Sequence, residues 1–195
     1  MSQPAPAPPT AVRALGYTAA AWCLFFAAVS AWQVMAGPHA GQRLAADASG
    51  LAIMSALVGV LKLVGAAVAL AAVGSRRGWS DRPVRLLGVT LWGAFGLLSL
   101  YSAGNLVITV GTVSGLLAPS AAWTAAGGVT AKAVLYVLFF LAGAALFGVL
   151  AVWFHRRHQL GWTSAVAGLV GAPLLLGLLL GVAPAVLGQW GLLPT

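Results

Sequence analysis

Five long apolar runs constrain this chain more than any other feature. They cover roughly Ala14–Ala36, Gly50–Val73, Val84–Leu116, Val129–Phe154 and Thr163–Leu187. Each reaches the ~20 residues that a helix rising ~1.5 Å per residue needs to cross a hydrocarbon layer. None alternates apolar and polar residues as a membrane β-strand does, and unpaired backbone groups are too costly in lipid, so helices are expected. The expected fold is therefore all-α, a polytopic membrane bundle of five transmembrane helices. The alternative is four spans, if the first run is a secretory signal. Arg13 would then be its positive region and Ala28-Val-Ser-Ala31 its cleavage site, but the run is long and contains Trp22 and Trp32. The third run is overlong and is expected to tilt, or to fray near Gly111–Gly115.

Composition agrees. The chain has 195 residues, 61% hydrophobic and only 6% charged, where a soluble domain carries about a quarter charged residues. So few charges cannot cover a core of this size, and the solvent must be lipid. Residues 1–13 form a Pro/Ala-rich tail, expected to be disordered and cytoplasmic, and residues 14–190 form one transmembrane domain. The single cysteine, Cys23, makes no internal disulfide and reads as a small buried hydrophobe.

The net charge of +8 arises from ten Lys+Arg against two acidic residues. In a soluble protein this would raise nucleic acid as a partner. Here the positive residues cluster between apolar runs, so no nucleic-acid partner is expected. The second connection, GSRRGWSDRP, holds Arg76, Arg77 and Arg82, with Arg85 just beyond; the fourth, HRRHQLGW, holds Arg156 and Arg157. The first connection is about neutral and the third has no charge. Basic loops stay in the cytoplasm, which predicts a multi-pass protein of the cytoplasmic membrane with its N-terminus inside and its C-terminus outside. The six arginines are candidates for anionic headgroup contact. Trp79, Trp153 and Trp162 fall at expected inner ends, Trp32, Trp123 and Trp190 at outer ones, while Trp22 and Trp92 lie deeper and read as packing residues.

Lys62 is the residue most out of place. It lies at the middle of the second run, and an ammonium at the bilayer centre costs about 2.5–3.5 kcal/mol on insertion scales. No Asp or Glu occurs in any run, and Asp47 is fifteen positions away, some 22 Å along a helix. Lys62 must use Asn105, carbonyls, water, a bound anion, or an acidic residue on another membrane protein. Gln33, Tyr101 and Asn105 lie in outer halves of their runs and, with Lys62, are candidates to line an outward-facing polar cleft that binds a substrate or a partner. Lys132 lies near an outer end, where its stem can carry the charge to the headgroups.

Small residues every four positions suggest packing seams: Pro173, Gly177, Gly181 and Ala185 in the fifth run, Gly65 and Ala69 in the second, Ala144 and Gly148 in the fourth. Pro173 is a candidate kink. His155 and His158 share a helix face, but no carboxylate or cysteine accompanies them and two arginines repel a cation, so no metal site is expected. There is no phosphate-binding loop, no HExxH and no Gly-x-Ser-x-Gly. No catalytic residues and no cofactor are expected, and the missing intramembrane carboxylates speak against a proton-coupled pump.

The runs AWCLFFAAVSAWQVMAG, ALVGVLKLVGAAVALA and LWGAFGLLSLYSAGNLV carry a resemblance. With an aromatic-rich first span ending in Gly, a second span with a central lysine and a third with a Leu-Tyr pair, the chain resembles a family of small bacterial integral membrane proteins known as a domain of unknown function. The resemblance covers roughly residues 14–155. It implies a bacterial membrane bundle and supplies no activity.

The expected function is a non-enzymatic accessory or structural subunit of the membrane, with Lys62 meeting a partner's carboxylate. The alternatives are a small transporter or permease component using the polar cleft, and a membrane enzyme acting on lipid.

Overall fold

The computed structural model describes residues 8–36, 45–74, 79–118 and 131–189. They form five helices: α1 Thr10–Ala36, α2 Ala45–Gly74, α3 Asp81–Val113, α4 Ala131–His158 and α5 Trp162–Gln189. No strand occurs among the described residues. Among the described residues, four helices are long and apolar enough to cross a membrane, over Thr10–Trp32, Ala56–Gly74, Asp81–Val113 and Val134–His158. The bundle expected from the sequence is the fold observed.

Helix ends differ from the sequence expectation where local backbone chemistry decides them. Helix α1 starts at Thr10, inside the stretch read as tail, because the Pro9 carbonyl accepts hydrogen bonds from the amides of Val12 and Arg13. Helix α3 opens with Ser80 extended at its N-cap, Asp81 in the first turn and Pro83 just inside. Acidic charge and proline both suit the first turn, where amides lack partners. The overlong third run ends at Val113, where Gly115 takes φ +74 and the Leu117 amide donates to the Gly111 carbonyl. Helix α4 runs on to His158, so Arg156 and Arg157 occupy its last turn rather than a loop. Its end is a Schellman cap: Gln159 adopts φ 50, its amide donates to Arg156 and the Leu160 amide donates to His155. Helix α5 continues through Pro173 without a break in helical backbone.

Packing divides the bundle in two. Helices α1 and α2 form an antiparallel hairpin, while α3 lies between α4 and α5. In the hairpin the register is set by small residues. Gly16 meets Val73, Cys23 meets Gly65 and Ser30 meets Gly59, so each step of seven along one helix is a step of six to eight back along the other. Ala19, Ala20, Ala66, Ala69 and Ala72 fill the rest of this interface. The α3–α4 interface uses large side chains instead: Leu91 of α3 and Phe147, Leu150 and Phe154 of α4 belong to one core cluster and are all fully buried.

The α3–α5 interface is a backbone contact. A Cβ on Gly168 would lie 2.6 Å from the Trp92 Cβ and 2.9 Å from the Gly93 amide nitrogen. This corrects the expected seam. The α5 face that packs is Ala165, Gly168 and Ala172, whereas Gly177 meets nothing within 4 Å. Gly181 and Ala185 lie outside the residues whose side chains are described. The other two seams do face neighbours: Gly65 faces Cys23 and Phe147, and Gly148 faces Phe95.

Candidate functional site

The hairpin register puts Lys62 of α2 opposite Phe26 of α1. The Lys62 Nζ sits 3.9 Å from the centroid of the Phe26 ring and donates a hydrogen bond to the Ser30 Oγ at 3.3 Å. Ser30 is buried, with 6% of its surface exposed, and Lys62 is half-buried. Gly59, one turn before Lys62, lies beside Ser30, and a Cβ there would sit 3.7 Å from the Ser30 Cβ, in ordinary contact. An ammonium over an aromatic face gains up to about 2 kcal/mol when desolvated, and a hydrogen bond to a charged group about 1.5–3 kcal/mol.

Phe26 belongs to a cluster of rings that joins the two halves of the bundle. It packs on Phe139 at 4.6 Å, Trp22 at 5.6 Å and Phe140 at 5.3 Å between centroids. Phe140 in turn packs on Tyr101 of α3 at 4.6 Å. Lys62 and Tyr101 are thus linked by an unbroken series of rings. The Trp22 Nε1 is buried here with no acceptor.

The residues singled out in the sequence are distributed as follows. Tyr101 and Asn105 are neighbours on α3, the Asn105 amide donating to the Tyr101 carbonyl at 2.8 Å, and neither hydrogen-bonds to Lys62. The Gln33 and Lys132 side chains lie outside the described residues, as do Arg76, Arg77, Asp47, Trp123 and Trp190. Lys62 therefore meets Ser30 and Phe26, two partners the sequence reading did not name. Ser30 is a polar residue in an otherwise apolar stretch of α1, and that signal was present. Phe26 carried none, because any of several aromatic residues on α1 would have served equally well.

The basic end of the bundle is assembled from two helix termini. Arg82 and Arg85 are exposed at the start of α3, and Arg156 is exposed at the end of α4. The Arg157 guanidinium lies 5.0 Å from the Trp153 ring. A cavity of about 630 Å³ lies between them, its polar lining including Asp81, Arg85, Arg157, His158 and Thr163. The two histidines part company: His158 lies tilted against Phe154 at 4.4 Å between centroids, and His155 packs against Trp162 and Trp92. Trp79, Trp162 and, at the other end, Trp32 are exposed, as indoles at a membrane boundary would be.

No family model, no curated protein and no solved structure matches the chain.

Proposed function

We propose that this chain is a non-enzymatic accessory subunit of a bacterial cytoplasmic membrane, and that Lys62 pairs with a carboxylate on a partner membrane protein. On this reading its basic end faces the cytosol. The observation that carries the reading is the coordination of Lys62. An ammonium has three N–H donors, and among the described residues it meets one hydroxyl and one ring face at mid-span. Leu61, Leu63 and Val64 beside it on α2 are exposed, so the helix presents there an apolar surface that a partner helix can cover. The series of rings between Lys62 and Tyr101 is dense packing rather than a polar passage, which favours a subunit over a permease.

The test is the size of the assembly released from native membranes by mild detergent. Wild type and Lys62→Arg should migrate as a complex larger than the chain alone. Lys62→Leu should migrate as the free chain while inserting normally. Identical complexes in wild type and Lys62→Leu would overturn the pairing.

A further inference from the structure

We infer that the groove between α3 and α4 at the basic end is a binding site for one anionic diacyl phospholipid. The groove, about 890 Å³, is lined by Trp92 and Phe95 of α3 and by Gly148, Val149, Val152 and Trp153 of α4. Arg156 and Arg157 close its end. Gly148 creates the furrow, because Phe95 packs onto its bare backbone and a Cβ there would lie 2.9 Å from the ring. Val149 and Val152 leave 50% and 38% of their surfaces open along it.

Two features of the groove match such a lipid in order, a basic end for its headgroup and an apolar trough for its tail. The guanidinium pair suits a phosphate, and no acidic side chain lines the groove to oppose it. Next inward lies Trp92, which packs against His155, the residue preceding Arg156. Its ring forms part of the wall, with the indole N–H buried under protein atoms. Beyond that, Phe95, Gly148 and Val149 form an apolar trough for an acyl chain. Arg157 is already oriented by the Trp153 ring, and Arg156 is exposed beside it. This goes beyond the pairing proposed for Lys62, which lies on a different pair of helices, and needs only that the spans sit in lipid.

The experiment is native mass spectrometry of the detergent-solubilised full chain titrated with phosphatidylglycerol or with phosphatidylcholine. Wild type should form a 1:1 adduct with phosphatidylglycerol at roughly tenfold lower concentration than with phosphatidylcholine. Arg156→Gln/Arg157→Gln should bring the two lipids within twofold of each other. Arg82→Gln/Arg85→Gln removes the same charge from the same end and should keep the preference. Val152→Trp fills the trough from its exposed side and should weaken both adducts at least fivefold with all arginines present; Val149→Trp provides a second such variant. Equal binding of the two lipids by wild type would overturn the site. So would equal losses in the two double-arginine variants, which would show diffuse surface charge, or unchanged adducts in both tryptophan variants.

Discussion

The α1–α2 interface is built largely from alanines and the α3–α5 interface from glycines, and the two differ in what they can tolerate. In the hairpin, methyl groups and small side chains meet one another, and a side chain such as Val73 faces Gly16. Between α3 and α5 the backbones themselves touch, the Val89 carbonyl and the Gly93 amide lying against Gly168. Lipid tails are as apolar as leucine, so helices in a membrane gain little by burying apolar surface against each other and depend on this kind of close fit. The hairpin keeps enough side-chain volume to hold a cation at its centre. The glycine seam fixes α5 on α3 with no room to adjust.

That contrast gives its largest test at Gly168. Gly168→Ala should destabilise the protein by about 3 kcal/mol or more, because added volume meets backbone and cannot be absorbed by a rotamer. Gly177→Ala, on the face of α5 read from the sequence as a seam, should leave thermal stability within about 0.5 kcal/mol, the range of ordinary surface changes. Equal effects at the two positions would erase the distinction. Ala69→Leu in the hairpin, where Ala69 is fully buried, should cost about 1–3 kcal/mol of overpacking, less than Gly168→Ala. Unfolding in detergent followed by tryptophan fluorescence measures all three.

Lys62→Met sharpens the comparison from the hairpin side. Replacing a buried ion pair by apolar side chains of similar volume is often neutral or stabilising by about 1–4 kcal/mol, and a buried ammonium with no carboxylate beside it has less to lose. If Lys62 serves a partner, the isolated chain should gain about 1 kcal/mol with Lys62→Met while the native complex is lost. A marked loss of stability in the isolated chain would make Lys62 an internal structural residue instead. The smallest effect is expected at Gln159, whose left-handed backbone closes α4. A side chain pays about 1 kcal/mol in that conformation, partly offset by the chain entropy that glycine loses. Gln159→Gly should therefore raise stability by about 0.5 kcal/mol, seen as a small upward shift in melting temperature.

Much of the fold could be read from the sequence because membrane helices are specified by length and apolarity, both of which are local. The ends of α2 and α5, Gly74 and Gln189, fall within two residues of the expected bounds. What could not be read was which face of each helix points where. These helices are apolar nearly all round, so periodicity does not mark an inner face. Gly168 and Gly177 look equivalent in sequence, and only the crossing with α3 separates them. Lys62 was conspicuous as a charge out of place, while its partners depended on the hairpin register and so on tertiary packing. Arg156 and Arg157 were legible as a basic pair, but their place in a helical turn beside an apolar groove was not.

The proposed orientation puts the arginine-bearing end of the bundle in the cytosol. Single cysteines placed in a Cys23→Ser background and probed in intact cells with a membrane-impermeant maleimide test it most directly. Leu116→Cys, at the far end of α3, should label without permeabilisation, and Arg82→Cys, at the near end, only after it. Labelling of Arg82→Cys in intact cells, with Leu116→Cys protected or equally reactive, would contradict the account.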